Sequence, residues 1–129
     1  MFLQARETAP CNRHHAISLL FANDPGLFPL FFDADRLTLR GGDHRATRRM
    51  ADDELDMQQG VLVHLALDLW LERGHTSLHH VYRCLNADRF QGFLMAVELL
   101  YAAGGCDCQS CRQRFSPLPS DWLAFPQTF

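Results

Sequence analysis

The sequence predicts an all-α fold, a single compact domain of four to five helices packed around a long central helix at about residues 52–73. Three observations lead there. The stretch Val61–Leu71, VLVHLALDLWL, holds nine apolar residues in eleven, interrupted only by His64 and Asp68. Its flanks carry the pattern well past strand length, which favours a helix over a strand. Between Ala87 and Ala103 a second apolar series, Phe90, Phe93, Leu94, Val97, Leu100 and Tyr101, repeats at spacings of three and four. A helix from Asp52 to Arg73 would be about 33 Å long. Apolar on nearly all sides, it belongs at the centre with other helices against it.

With 129 residues, 47% apolar and 21% charged, the chain reads as one domain over 1–129, large enough to bury a core without a disulfide or metal staple. The Cys-rich and Pro-rich C-terminal stretch 104–129 reads as irregular. A net charge of −3 gives no global electrostatic pull toward nucleic acid. All twelve basic residues are arginine, which reads as a GC-rich bacterial genome and excludes lysine Schiff-base or lysine-base chemistry. The N-terminal MFLQARETAP has no signal-peptide pattern, and the apolar run Ala16–Phe32 is broken by Asn23, Asp24, Pro25 and Gly26. A cytoplasmic, reducing setting follows, with thiols or metal-bound cysteines in place of disulfides.

In chain order, a first helix is expected over His14–Ala22, capped by Asn12, with Ile17, Leu20 and Phe21 on one side. Asp24 and Pro25 then suit the N-cap and first position of a second helix. Leu27, Phe28, Leu30, Phe31 and Phe32 would bury a large aromatic load, and the alternation around Leu37 and Leu39 admits a short two-stranded element. The acidic run Asp52, Asp53, Glu54 and Asp56 suits the start of the central helix, because the macrodipole favours anions there, and leaves Arg45, Arg48 and Arg49 just outside. Gly74 is the expected stop. Thr76 or Ser77 caps a helix over Leu78–Leu85 with Leu78, Val81, Tyr82 and Leu85 inward. Asn86 caps the next, which Gly104-Gly105 terminates. The Pro-bearing tail Ser116–Phe129 is expected to pack back through Trp122, Phe125 and Phe129. The expected core is Leu20, Phe31, Leu55, Leu62, Leu65, Leu69, Trp70, Val81, Leu85, Phe90, Phe93, Leu94, Val97 and Leu100.

The most specific chemical feature is the cluster GGCDCQSCRQRF. Cys108 and Cys111 have the two-residue gap that lets two thiolates hold one tetrahedral zinc, and Cys106 is near enough to be a third ligand. The fourth would come from Cys84, Cys11, His79 or His80. Against the metal reading, the second ligand pair of a complete motif is missing, so ordinary reduced thiols remain the plain alternative. Redox or iron–sulfur chemistry stands behind both.

His64 and Asp68 share a helix face, with Glu72 on the same line. Together they read as a narrow solvated stripe, or His64 beside Asp68 reads as an oriented base or metal ligand. His79-His80 and His14-His15 read as surface residues. Arg36, Arg40, Arg45, Arg48 and Arg49 with His44 form the one basic concentration, suited to pairing with nearby aspartates or to a phosphate backbone. No catalytic signature is present. The leading expectation is a non-catalytic interaction or regulatory protein with a protein partner, or a second copy of itself, and no membrane. The alternatives are a zinc-stabilised module, a thiol-dependent enzyme using Cys84 or Cys111 with His64 and Asp68, and a nucleic-acid-binding regulator.

Overall fold

The structure, a computed structural model, describes residues 11–33, 35, 38–40, 43–71, 74–106, 108, 109 and 111. Among them the chain is all-α, with six helices and one short ladder. The helices are α1 (Asn12–Leu20), α2 (Leu27–Phe31), α3 (His44–Glu54), α4 (Met57–Leu71), α5 (Leu78–Cys84) and α6 (Ala87–Ala103). Strands β1 (Phe32–Asp33) and β2 (Thr38–Leu39) pair antiparallel with Phe32 opposite Leu39. This is the two-stranded element that the alternation around Leu37 admits. Leu37 itself, Glu72, Arg73 and the tail Ser116–Phe129 lie outside the described residues. No described helix is long and apolar enough to cross a membrane.

The central helix begins later than expected. Asp43 accepts hydrogen bonds from the N–H groups of Arg45 (2.9 Å) and Ala46 (3.3 Å) and starts α3 there. The arginines therefore sit on a helix of their own, and Asp52, Asp53 and Glu54 fall in its last turn. Leu55 is extended, and Asp56 then accepts from the Gln59 N–H at 2.8 Å and starts α4. A charged side-chain acceptor satisfies one of the orphan donors of a new helix, so Asp56 breaks a segment that apolar periodicity alone would run together.

Two further caps differ from expectation. α1 starts at Asn12, with Cys11 at the N-cap position and no side-chain cap. Asn12 instead donates through Nδ2 to the Gly105 carbonyl at 3.1 Å. α2 starts at Leu27 rather than beside Asp24. Asp24 takes the Arg89 guanidinium in a two-pronged pair, Nε at 2.8 Å and Nη2 at 2.9 Å, and accepts from Gln59 Nε2 at 3.3 Å. A bidentate charged donor outcompetes a backbone N–H for that carboxylate. Ser77, Asn86 and Gly104 mark the helix ends as read. Ser77 Oγ accepts from His80 N–H, and Asn86 Oδ1 accepts from Arg89 N–H. Gly104, at φ +70°, closes α6, with Gly104 N–H donating to the Tyr101 carbonyl (3.2 Å) and Gly105 N–H to that of Leu100 (2.8 Å). Gly74 lacks the left-handed backbone of a helix stop; among the described glycines only Gly104 and Gly105 have positive φ.

The core is built on α4, whose Leu62, Val63, Ala66, Leu67 and Trp70 are buried against Ile17, Leu20, Phe21, Phe31 and Phe32. Of the expected core, Leu65, Val81 and Leu85 are also buried. Leu55, Leu69, Phe90, Phe93 and Leu100 are half-buried around its margin. Leu94 and Val97 are exposed, as are Leu78, Tyr82 and Tyr101, the last at 87%. The reason lies in how α6 meets α1. Its inner face uses the small residues Gly92 and Ala96, both buried, so the two backbones come close and the larger side chains one face over are left in solvent. His14, expected on the surface, is also buried, with its ring edge-on to Trp70 (4.8 Å), Phe28 (5.3 Å) and Phe32 (6.3 Å).

A Cβ placed on Gly92 would meet the Leu19 carbonyl oxygen at 2.8 Å, too close for any real contact. Because the obstacle is backbone, α1 and α6 must separate to admit it. Gly92→Ala should therefore lower stability by about 1–3 kcal/mol despite alanine's better helix propensity; urea unfolding checks this. Asp24 is 8% exposed, and the Arg89 hydrogen bonds, the larger influence over burial, hold its carboxyl below the usual carboxylate range. Its pairing thus adds stability above the ordinary carboxylate pKa and loses it as pH falls through the depressed value. Asp24→Asn should cost about 2 kcal/mol at neutral pH, a difference that shrinks in acid when unfolding is followed across pH.

Candidate metal centre

Four thiols converge at one end of the molecule. The Gly104-Gly105 turn reverses the chain after α6 and delivers Cys106 to the first turn of α1. There the Asn12 N–H donates to Cys106 Sγ at 3.2 Å. The same asparagine, bonded to Gly105 through its side chain, ties the helix start to the turn. Cys11, immediately before α1, points into the same space. Its Sγ is 3.6 Å from that of Cys111 and 3.8 Å from that of Cys106. Cys108 closes the group, accepting from the Cys111 N–H at 3.5 Å. All four sulfurs lie within 4.8 Å of one another, with Cys11 and Cys111 buried and the other two half-buried.

These separations exclude a disulfide, which needs about 2.05 Å. The two Cys11 separations match a tetrahedral thiolate shell, in which zinc–sulfur bonds of about 2.3 Å put neighbouring sulfurs about 3.8 Å apart. Four soft donors with no carboxylate or water-like oxygen among them suit zinc or an iron–sulfur centre and disfavour calcium or magnesium. The three ligands proposed from sequence, Cys106, Cys108 and Cys111, are brought together, and Cys11 joins them. Cys84, His79 and His80 do not belong to the converging group.

The electrostatics differ from sulfur to sulfur. Burial pushes the Cys11 thiol far up, against the His14 backbone N–H. Burial likewise raises Cys111, despite its contact with Cys11. For Cys106, burial is outweighed by backbone N–H groups of Cys108, Arg13 and Asn12, and the thiol falls to about 7. The metal-free cluster therefore stores two protonated buried thiols beside one easily ionised sulfur, and filling it with a cation releases protons.

His64 and Asp68 belong to a different place. The stripe they form is not solvated, because Arg48 of α3 covers it. Arg48 Nη1 bonds His64 Nδ1 at 2.8 Å, and Nη2 bonds Asp68 Oδ1 at 3.0 Å, with Arg48 and Asp68 side chains only 12% and 13% exposed. A guanidinium can only donate, so Nδ1 accepts and the ring proton sits on Nε2, which donates to Asp52 Oδ1 at 2.7 Å. Both ring nitrogens are thereby occupied, and His64 has none left to activate a cysteine. The remaining Asp68 oxygen accepts from the Thr76 N–H at 2.9 Å. Nor do the arginines act as one patch: Arg40 donates to the Pro29 carbonyl (2.6 Å), Arg48 is committed inward, Arg45 and Arg49 are exposed, and Arg36 lies outside the described residues.

Compared with protein-family models, curated proteins and solved structures, the chain matches none of them. The functional reading therefore rests on the residues alone. Sequence spacing identified three of the four sulfurs; Cys11 was one of four candidates for the last place, and only the close approach of α1 to the end of α6 singles it out.

Raised thiol pKa values have a definite sign in stability. Cys11 and Cys111 favour the folded state below the ordinary thiol value of 9.0 and withdraw that support as pH climbs past it. Metal-free protein should therefore melt at progressively lower temperature above pH 9.0, and Cys11→Ala should flatten that dependence in a pH series of thermal melts.

Proposed function

We propose that this chain is a non-catalytic, zinc-stabilised helical module of a reducing, cytoplasmic setting that acts through contacts with a protein partner. The observation behind the zinc assignment is the convergence of Cys11, Cys106, Cys108 and Cys111 within 4.8 Å. A closed shell of four protein ligands is a structural arrangement, with no open position for a reacting water. An ion held there would staple the start of α1 to the segment leaving α6. Its two positive charges would offset half of the charge of four thiolates and turn the converging sulfurs into a cross-link.

The contact part of the reading draws on the outer face of α6. Leu94, Val97 and Tyr101 lie three and four residues apart on it and are all exposed. A row of this kind is the surface feature that a protein partner would cover. A thiol-dependent enzyme is less well supported, since Cys111 is buried within the cluster and both ring nitrogens of His64 are hydrogen-bonded elsewhere.

Protein purified without added zinc should carry one zinc per chain by elemental analysis. Cobalt substitution should give intense thiolate-to-metal absorption. A chelator should lower the melting temperature by at least about 10 °C, since zinc at a thousand times its Kd adds about 4 kcal/mol and each kcal/mol moves the midpoint about 3–4 °C at this size. Cys11→Ser should reproduce the chelator's effect, whereas Cys84→Ser should not. Zinc-free protein whose melting ignores both chelator and added zinc would end this reading.

A further inference from the structure

We propose that the cavity between the α3–α4 junction and the segment leading into α5 binds a small organic cation, an amine or guanidinium on a short apolar body. The site is separate from the cysteine cluster and its argument does not depend on zinc.

The cavity measures about 550 Å³, within the usual size range of small-molecule sites. Its sign is set by three features. Asp52 and Asp56 line it, and among the described residues no arginine does. The last turn of α3, which supplies Ala51 and Asp52 to the wall, is acidic and holds no basic residue. Arg48, which bonds the wall residue His64, is already paired with Asp68 at 3.0 Å. The imidazoles of His64, His75 and His80 also line the cavity, with the first two stacked at 6.0 Å and His64 bonded to Asp52 at 2.7 Å. Leu55 and Val61 supply the apolar surface on which a short carbon chain can lie.

The walls are held in place before any ligand arrives. His64 is clamped between Arg48 and Asp52, and the segment carrying His75 and Thr76 is tied to α4 by the Thr76–Asp68 bond. A fixed cavity keeps the ordering cost of binding low. A neighbouring cavity of about 270 Å³, lined by His44, Arg45 and Arg48, has the opposite character and serves as an internal contrast.

The test uses the full chain as purified, with agmatine as the cationic probe and inorganic phosphate as the anionic one, followed by NMR of the imidazole and backbone resonances. Agmatine should produce saturable shifts at His64, His75 and His80. Asp52→Asn, which keeps an oxygen to accept from His64, should weaken binding about tenfold, whereas Asp53→Asn, in the same run but not lining the cavity, should leave it unchanged. Val61→Phe, which fills the apolar side, should weaken binding without removing charge. Should Asp52→Asn disturb the fold by circular dichroism, the Val61→Phe result decides. The absence of saturable shifts, equal weakening by Asp53→Asn, or shifts at these histidines with phosphate but not agmatine overturns the proposal.

Discussion

Helix α1 can lie against α6 only because residue 92 carries no side chain, and the rest of the structure follows from that contact. With the Leu19 carbonyl seated over Gly92 and Ala96 buried one turn on, the start of α1 is brought level with the end of α6. The double-glycine turn then needs only one reversal to return the chain to Asn12, which binds both the turn and Cys106. The four-sulfur cluster is thus a consequence of a backbone approach that takes place well away from it. The same approach pushes the bulkier residues of α6 outward, so the exposed row and the hidden thiols have one cause.

Two half-buried charge clusters fix what apolar packing leaves undetermined. Arg89 and Asp24 lock the turn after α1 to the start of α6. Arg48 joins α3 to α4 through Asp68 and His64, and Asp68 also secures the segment before α5. Pairs of this kind add little net stability compared with apolar replacements, but breaking one leaves an uncompensated charge, so they select one arrangement among several of similar packing energy. Arg13 does similar work near the end of α4, where its guanidinium caps the Leu69 carbonyl at 2.7 Å. Apart from the Asp68–Thr76 bond, these connections join residues 16 or more apart in sequence, and so local patterns do not show them.

What could be read from the sequence divides along the same line. The apolar segments of α4 and α6, the caps at Ser77 and Asn86, the Gly104-Gly105 stop and the C-x-C-x-x-C spacing are all local, and all are found where expected. The break at Leu55–Asp56 was missed because apolar periodicity does not register a carboxylate that starts a helix afresh. The exposure of Leu94 and Val97 was missed because periodicity shows that a face is apolar without showing whether a neighbour covers it. In α6 the covered face is the small-residue one. His14 and Cys11 were misplaced or left undecided for a related reason: the aromatic ring around the first and the thiol partners of the second come from elements that share no local signal with them.

Cys11 precedes the nearest of its sulfur neighbours by 95 residues. During synthesis it emerges from the ribosome first and waits while all six helices follow. A nascent chain that stalls after α4 but before the Gly104-Gly105 turn can collapse around that helix, yet it cannot bring the four sulfurs together. Assembly of that cluster therefore reports that translation has run through the whole helical body, and a shortened product would be left with a solitary buried thiol and a loose first helix, open to proteolysis.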